Sequence, residues 1–161
     1  MKNRYIHSGA IVLGMHDALV TLVGMIGGLT IALTDRRAII LSVLIASVAG
    51  ALSMTASNYL AHKTDETPNA LMAGLATGLA YLGTCAILIM PFVIISHTYT
   101  AMGISFILAV LIILGCNLCV ARHNSHPWWR HAIETLVICT IVSLVSFIIG
   151  DMAKHTLGIE I

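Results

Sequence analysis

The sequence has very little charge. Asp, Glu, Lys and Arg make up only 9% of its 161 residues, whereas soluble domains carry about 25%. The 8 Lys and Arg nearly balance the 7 Asp and Glu, so the chain lacks the basic surface that binding to nucleic acid needs. Hydrophobic residues make up 58% of the chain, and the mean hydropathy is +0.97. These proportions predict an integral membrane protein and exclude nucleic acid as a partner.

Cysteine is also scarce and gives no clear disulfide pattern. All four cysteines lie within apolar runs, at Cys85, Cys116, Cys119 and Cys139. Cys116 and Cys119 have CxxC spacing, which places both thiols on one face of a helix. This pair suits either soft-metal binding or apolar packing. No nucleophile–base pair or HExxH-type motif is found, so the sequence does not predict an enzyme.

Long apolar runs divide the chain into five spans, each long enough to cross a hydrocarbon core, which needs about 20 residues. We predict these spans near residues 9–34, 38–61, 69–96, 100–121 and 132–153. Helices are the only option, since an open sheet leaves backbone groups unsatisfied in lipid. The first run is too long for a signal peptide. We therefore predict an all-α integral membrane protein, with residues 1–161 forming a single transmembrane domain.

The charged residues between the spans indicate an orientation, because five spans place the two termini on opposite sides. The N-terminus, second loop and fourth loop carry Lys2, Arg4, Lys63, Arg122 and Arg130, and the opposite side carries Arg36, Arg37 and Lys154. Cytoplasmic loops are enriched in Lys and Arg. This bias favours a cytoplasmic N-terminus.

Asp17 is the most informative residue, because it lies inside the first apolar run. A carboxylate at that depth costs about 2.5–3.5 kcal/mol even on the lenient insertion scale. No Lys or Arg within the spans is available to pair with it. Intramembrane charges usually face a bundle interior or a water-filled path and mark ion or proton routes. A structural pairing with a neighbouring helix is the alternative.

Small and polar residues recur on one predicted face of several helices. They are Asp17, Thr21, Gly24 and Gly28 in the first helix, Ser47, Gly50, Ala51, Met54, Ser57 and Asn58 in the second, Gly74, Thr77, Gly78, Tyr81 and Cys85 in the third, and Thr135, Cys139, Ser143, Ser146 and Gly150 in the fifth. Small residues let helix backbones approach closely in a membrane, which accounts for most of the glycines. Close packing does not account for Asp17 or Asn58.

Two segments of the sequence resemble the vacuolar iron transporter family. Residues 14–21 (GMHDALVT) are similar to the family pattern G-x-N-D-G-[LI]-V-[ST], and residues 49–60 (AGALSMTASNYL) are similar to A-G-A-[LI]-S-M-x-x-x-E-Y. The proline near residue 68 and the Pro-Trp-Trp-Arg string at 127–130 also fit, so the similarity covers nearly the whole chain.

The resemblance implies five helices per protomer and a homodimer, with helices 1 and 2 near the two-fold axis and the metal path on that axis. Family members move Fe²⁺, and often Mn²⁺, out of the cytosol in exchange for protons. Their path residues correspond to Asp17 and Met54, and Asn58 occupies the position of a family glutamate. The expected setting is a bacterial inner membrane or an organelle membrane, with the metal as cargo and no resident cofactor.

The chain departs from the family pattern at several positions. The glutamate eight residues before the methionine is Ala46, the glutamate before the tyrosine is Asn58, and the Asn and Gly around the aspartate are His16 and Ala18. Only residues 62–68 join the second and third spans, so the family's cytosolic metal-binding insertion is absent. A membrane scaffold that lost the metal-site glutamates, and a transporter of another cation, are therefore the alternative hypotheses.

Histidines cluster in the predicted loops and could gather metal at the mouths of a path. They are His62, His97, His123, His126 and His131. His123 and His126 have i, i+3 spacing but lie beside Pro127, which does not suit a helix interior. Solvated loop residues are the alternative. His16 lies about 100° around the first helix from Asp17, so we expect it to be hydrogen-bonded within the bundle and not to be a ligand.

Overall fold

Five helices make up the described part of the chain. The structure is a computed structural model that describes the backbone of residues 2–121 and 128–157. The helices are α1 (Lys2–Ala32), α2 (Arg36–Thr64), α3 (Ala70–Ile94), α4 (Thr98–Ala121) and α5 (Trp128–Leu157). Each contains a segment long and apolar enough to cross a membrane, and no strand occurs among the described residues. The prediction of an all-α multi-pass membrane protein is confirmed.

Short polar links separate the helices close to the predicted positions. Asp35 is the N-cap of α2, and its carboxylate accepts a hydrogen bond from the backbone N–H of Arg37 at 2.9 Å. Such N-terminal caps satisfy a backbone donor that has no partner inside the helix. At the next link, Asn69 precedes α3 with a φ of 66°, a left-handed conformation that Asn adopts more readily than most residues. The helices therefore end where the sequence changes from apolar to polar residues.

The helices are unequally buried. α1 packs against α3 and α5, α2 packs mainly against α3, and α4 contacts α1, α3 and α5. α1 and α3 are therefore the most buried elements, whereas α2 and α5 leave most of their membrane-spanning surfaces uncovered. The largest fully buried side chains include Phe92, Leu19, Leu22 and Ile26. The core lies around α1 and α3.

Glycines mark the points where helices approach most closely. A methyl group on Gly14 of α1 would overlap the backbone carbonyl oxygen of Thr77 in α3, and one on Gly28 would lie 2.8 Å from the carbonyl oxygen of Ser146 in α5. A methyl group on Gly78 of α3 would overlap the Thr55 hydroxyl oxygen of α2. The prediction that small residues serve close helix packing is confirmed at these crossings.

Arg36 ties the start of α2 to the end of α3. Its Nη1 atom donates to the carbonyl oxygens of Phe92 at 3.2 Å and Ile95 at 3.0 Å. Carbonyls in the last turn of a helix have no partner within the helix, and a cation there also interacts favourably with the helix dipole. From the sequence alone Arg36 counts only as a loop charge, and this contact is not predicted.

Candidate functional site

Asp17 lies on a face of α1 that the protomer leaves partly uncovered. Its side chain is half-buried, while Leu13 and Thr21, one turn away on either side, are exposed. Within the described residues no basic side chain forms an ion pair with Asp17. Further along the same stripe, Gly24 and Gly28 are covered by α5. The predicted stripe of α1 is therefore open in its first half and packed in its second.

Tyr81 of α3 connects the surroundings of Asp17 with α2. Its side chain is almost completely buried, and its hydroxyl oxygen would lie 2.5 Å from a methyl group placed on Gly50. The same side chain interacts with Thr21 and lies within electrostatic range of Asp17. The sequence pattern predicts Tyr81 on the inner face of the third helix but does not assign it to the site. Tyr81 is four residues after Thr77 and seven after Gly74, a spacing that predicts all three on one helix face.

Met54 lies on the inner side of α2. It is half-buried and packs against the hydrophobic core, and it follows Gly50 by one helical turn. Gly50 lies against the Tyr81 hydroxyl, so Met54 is one helical turn along α2 from the side chain that neighbours Asp17. Not all of the predicted stripe of α2 faces inward, because Ser57 is exposed. Ser57 and Asn58 are adjacent and differ by about 100° around the helix, and only Asn58 points at a neighbouring helix.

The Asn58 side chain binds α3. Its Nδ2 atom donates to the Thr77 hydroxyl at 2.6 Å and to the Ala73 carbonyl oxygen at 3.2 Å. The Thr77 hydroxyl in turn donates to the Ala73 carbonyl oxygen at 3.0 Å. Asn58 is 8% exposed, so this network is shielded from solvent. The amide nitrogen therefore holds α2 against α3, and a role for its oxygen in metal binding stays a prediction.

Replacing Asn58 by aspartate tests the two roles of this position. The shape is retained, but an acceptor then faces the Ala73 carbonyl oxygen, so we expect a loss of about 1–3 kcal/mol, as for an unsatisfied buried group. Thermal unfolding of the purified protein, with and without Mn²⁺, measures the loss. We expect Mn²⁺ to give no extra stabilisation to the variant. A larger stabilisation by Mn²⁺ than in the wild type would instead mean that the new carboxylate reaches the metal.

Three histidines whose side chains the structure describes, at positions 16, 62 and 97, have local partners. His16 donates from Nδ1 to the Val12 carbonyl oxygen at 2.9 Å, which confirms the prediction that it is hydrogen-bonded. His62 donates in the same way to the Asn58 carbonyl oxygen at 3.0 Å, and His97 contacts the Thr100 hydroxyl at 3.2 Å. His123 and His126, and the side chain of His131, lie outside the described residues. A metal-gathering role for the loop histidines stays untested.

The CxxC pair is only partly within the described structure. The Cys116 thiol lies 3.5 Å from the Met15 sulfur of α1, and the Cys119 side chain lies outside the described residues. Across the described side chains, no group of three or more His, Cys, Asp or Glu is close enough to hold a metal ion. The described part of this chain therefore does not by itself assemble a metal site from such groups.

These features define a multi-pass membrane protein with an intramembrane carboxylate on a partly open helix face. The sequence model of the VIT family matches residues 8–68 and 61–151. The chain therefore belongs to the VIT family, the vacuolar iron transporters, which is a family of membrane metal transporters and not of enzymes. A search of curated proteins finds no match to this chain.

Proposed function

We propose that this protein carries divalent transition-metal ions, Fe²⁺ or Mn²⁺, out of the cytosol in exchange for protons. The observation that carries the proposal is the position of Asp17 on the open face of α1, between the exposed residues Leu13 and Thr21. A carboxylate facing lipid there would be costly. A metal path at this face, which the family membership supports, would let the Asp17 carboxylate bind the transported cation.

A homodimer with α1 and α2 near a two-fold axis completes the site in this proposal. The axis would bring two Asp17 and two Met54 side chains together, and two carboxylates balance the charge of one divalent cation. The incomplete ligand set of one protomer supports this arrangement. Two close carboxylates cannot both stay ionised without metal, so one proton would be held there and then released as the metal enters. This release is the physical basis that we propose for proton exchange.

The ligand types favour transition metals over Mg²⁺ and Ca²⁺. Carboxylates suit Mn²⁺ and Fe²⁺ as well as Mg²⁺, but a thioether adds a soft ligand that Mg²⁺ and Ca²⁺ do not favour. The distribution of Lys and Arg supports a cytoplasmic N-terminus, and the family resemblance implies a bacterial inner membrane or an organelle membrane. Export from the cytosol is the direction that the family resemblance implies.

Transport by the purified protein in proteoliposomes tests the proposal. We expect uptake of Mn²⁺ and Fe²⁺, little uptake of Mg²⁺, and an increase in uptake when the interior is more acidic than the exterior. Protein-free liposomes are the control. Thermal stabilisation by Mn²⁺ but not by Mg²⁺ gives a second readout. No uptake and no stabilisation with any metal would favour the alternative of a membrane scaffold that has kept the family fold.

Replacing Met54 by leucine separates binding from packing. Leucine keeps the volume, so we expect a stability loss of less than about 1.5 kcal/mol. Transport of Fe²⁺ and Co²⁺ should fall more than transport of Mn²⁺, because only the soft ligand is lost. Met102 of α4 packs against the same hydrophobic core, so Met102→Leu is the matched control. Equal effects on all three metals would show that Met54 is only a packing residue.

A further inference from the structure

A groove between α3 and α4 opens on the outer surface of the bundle. It is lined by α3 from Ile87 to Ile95 and by Ile104 and Leu108 of α4, and its lining side chains are apolar. Its volume is about 290 Å³, at the lower end of the range for ligand clefts. It runs about 12 Å along α3 at the helical rise per residue, close to the roughly 15 Å depth of one hydrocarbon leaflet. The groove therefore has the size for one acyl chain and not for a whole lipid.

A buried hydrogen bond joins the two walls of the groove. The Ser105 hydroxyl of α4 donates to the Leu88 carbonyl oxygen of α3 at 2.8 Å, and Ser105 is almost completely buried. Each of the two residues is next in sequence to a residue that lines the groove, Ile104 for Ser105 and Ile87 for Leu88. An unpaired polar group is costly inside a membrane, so this bond holds the walls at a set separation. The groove is therefore a fixed feature of the bundle.

The Arg36 guanidinium lies at one end of this groove. Ile95 both lines the groove and accepts a hydrogen bond from Nη1 of Arg36, and the Phe92 carbonyl oxygen accepts from the same atom. Nη1 carries two of the five guanidinium N–H groups. Nε and Nη2 therefore keep three donors that these carbonyls do not use, and a guanidinium fork suits the oxygens of a phosphate.

The polar residues around Arg36 suit this end of the groove to a negative lipid head group. The link before α2 carries Arg36 and Arg37 against Asp35, and the Asp35 carboxylate accepts from the backbone N–H of Arg37. This link is therefore net positive. Tyr99, at the start of α4, is exposed, and aromatic residues of this kind are enriched at the level of the head groups. The groove thus begins beside a cation at the membrane interface and continues into the apolar span.

We propose that this groove and Arg36 bind one anionic phospholipid, with an acyl chain between α3 and α4 and the phosphate on the guanidinium. An apolar helix from a second copy of the chain would fill the groove but would leave the Arg36 donors without an acceptor. The lipid fills the groove and pairs the Arg36 charge, so it stabilises this end of the bundle. The proposal does not depend on which ion the protein carries.

Native mass spectrometry of the full-length protein in detergent measures lipid binding directly. The probes are phosphatidylglycerol, phosphatidylcholine and inorganic phosphate. We expect phosphatidylglycerol to bind about fivefold more tightly than phosphatidylcholine, the effect of one basic residue beside an anionic lipid. Inorganic phosphate alone should not bind measurably, because it has no chain to place in the groove. Phosphatidylglycerol should also raise the thermal unfolding midpoint more than phosphatidylcholine does.

Two pairs of variants separate the groove from the cation. Ile104→Trp fills the groove, and Ile107→Trp, at an exposed position of α4 outside the groove, is its matched control. We expect Ile104→Trp to weaken the binding of both lipids alike and Ile107→Trp to change neither. Arg36→Gln should remove the preference for phosphatidylglycerol over phosphatidylcholine, whereas Arg37→Gln should keep most of it.

The groove variant keeps the test valid if Arg36→Gln folds poorly, because Ile104→Trp leaves the bonds of Arg36 to α3 in place. Equal binding of the two lipids to the wild type, or wild-type lipid binding by Ile104→Trp, overturns the proposal. Binding of inorganic phosphate as tight as that of phosphatidylglycerol does so too. A change in the oligomeric state of Ile104→Trp with unchanged lipid binding would instead assign the groove to a second copy of the chain.

Discussion

Asp17→Asn is expected to abolish metal transport while leaving the protein folded. The substitution removes the carboxylate that offsets the cation. An uncompensated charge at the bilayer centre costs about 2.5–3.5 kcal/mol on the lenient scale, which corresponds to a rate loss of about a hundredfold or more. Because no ion pair to Asp17 is present in the described residues, its loss should not lower stability. Metal uptake into proteoliposomes and thermal unfolding measure the two effects separately.

Asp151→Asn is the matched control for this experiment. Asp151 is an exposed carboxylate in α5 that lies 3.7 Å from His155, and α5 carries none of the predicted path residues Asp17, Met54 and Asn58. We expect transport by this variant to equal that of the wild type. If Asp17→Asn transports Mn²⁺ at the wild-type rate, Asp17 has no part in the mechanism, and the proposed function loses its main support.

Gly14→Ala is expected to destabilise the protein more than any other single methyl group added in the described bundle. The new methyl group would overlap the backbone carbonyl oxygen of Thr77, and a backbone atom cannot rotate away as a side chain can. Overpacking of this kind typically costs about 1–3 kcal/mol. Since Asp17 is less than one turn away, α1 would also carry the carboxylate out of position. The unfolding midpoint in detergent and the Mn²⁺ uptake rate should both fall.

Gly83→Ala provides the comparison. Gly83 lies in α3 with no atom within 4 Å of the position of an added methyl group. Alanine favours a helix over glycine by roughly 1 kcal/mol, so this variant should be as stable as the wild type or more stable. Equal midpoints for the Gly14 and Gly83 variants would contradict the close crossing of α1 and α3.

The number and extent of the helices followed from the sequence because lipid imposes one simple requirement. Each span needs about 20 apolar residues and must form its backbone hydrogen bonds within itself. Polar linking residues such as Asp35 therefore had to lie between helices. The rotation of each helix is less strongly encoded. Two adjacent polar residues, Ser57 and Asn58, both fitted a broad inner face, yet Ser57 is exposed and Asn58 binds α3.

The site was predictable only in part. Asp17 and Met54 could be singled out from an isolated charge and a family pattern, without knowledge of any contact. The connection between them through Tyr81 and Gly50 depends on how α3 lies between α1 and α2, and no spacing within one helix determines this. The hydrogen bonds from Arg36 to the end of α3 could not be predicted for the same reason, because the two acceptor residues are 56 and 59 positions away in sequence.

The Arg36 contact also constrains the order of events during biosynthesis. Its acceptors, Phe92 and Ile95, are made only after all of α2 and nearly all of α3. In a nascent chain that has inserted only α1 and α2, the Arg36 guanidinium therefore still lacks these two hydrogen bonds. The Arg36 bonds form once α3 has crossed, and they then close the ring from residue 36 to residue 95. Completion of the α2–α3 hairpin is thus the step that fixes this end of the bundle.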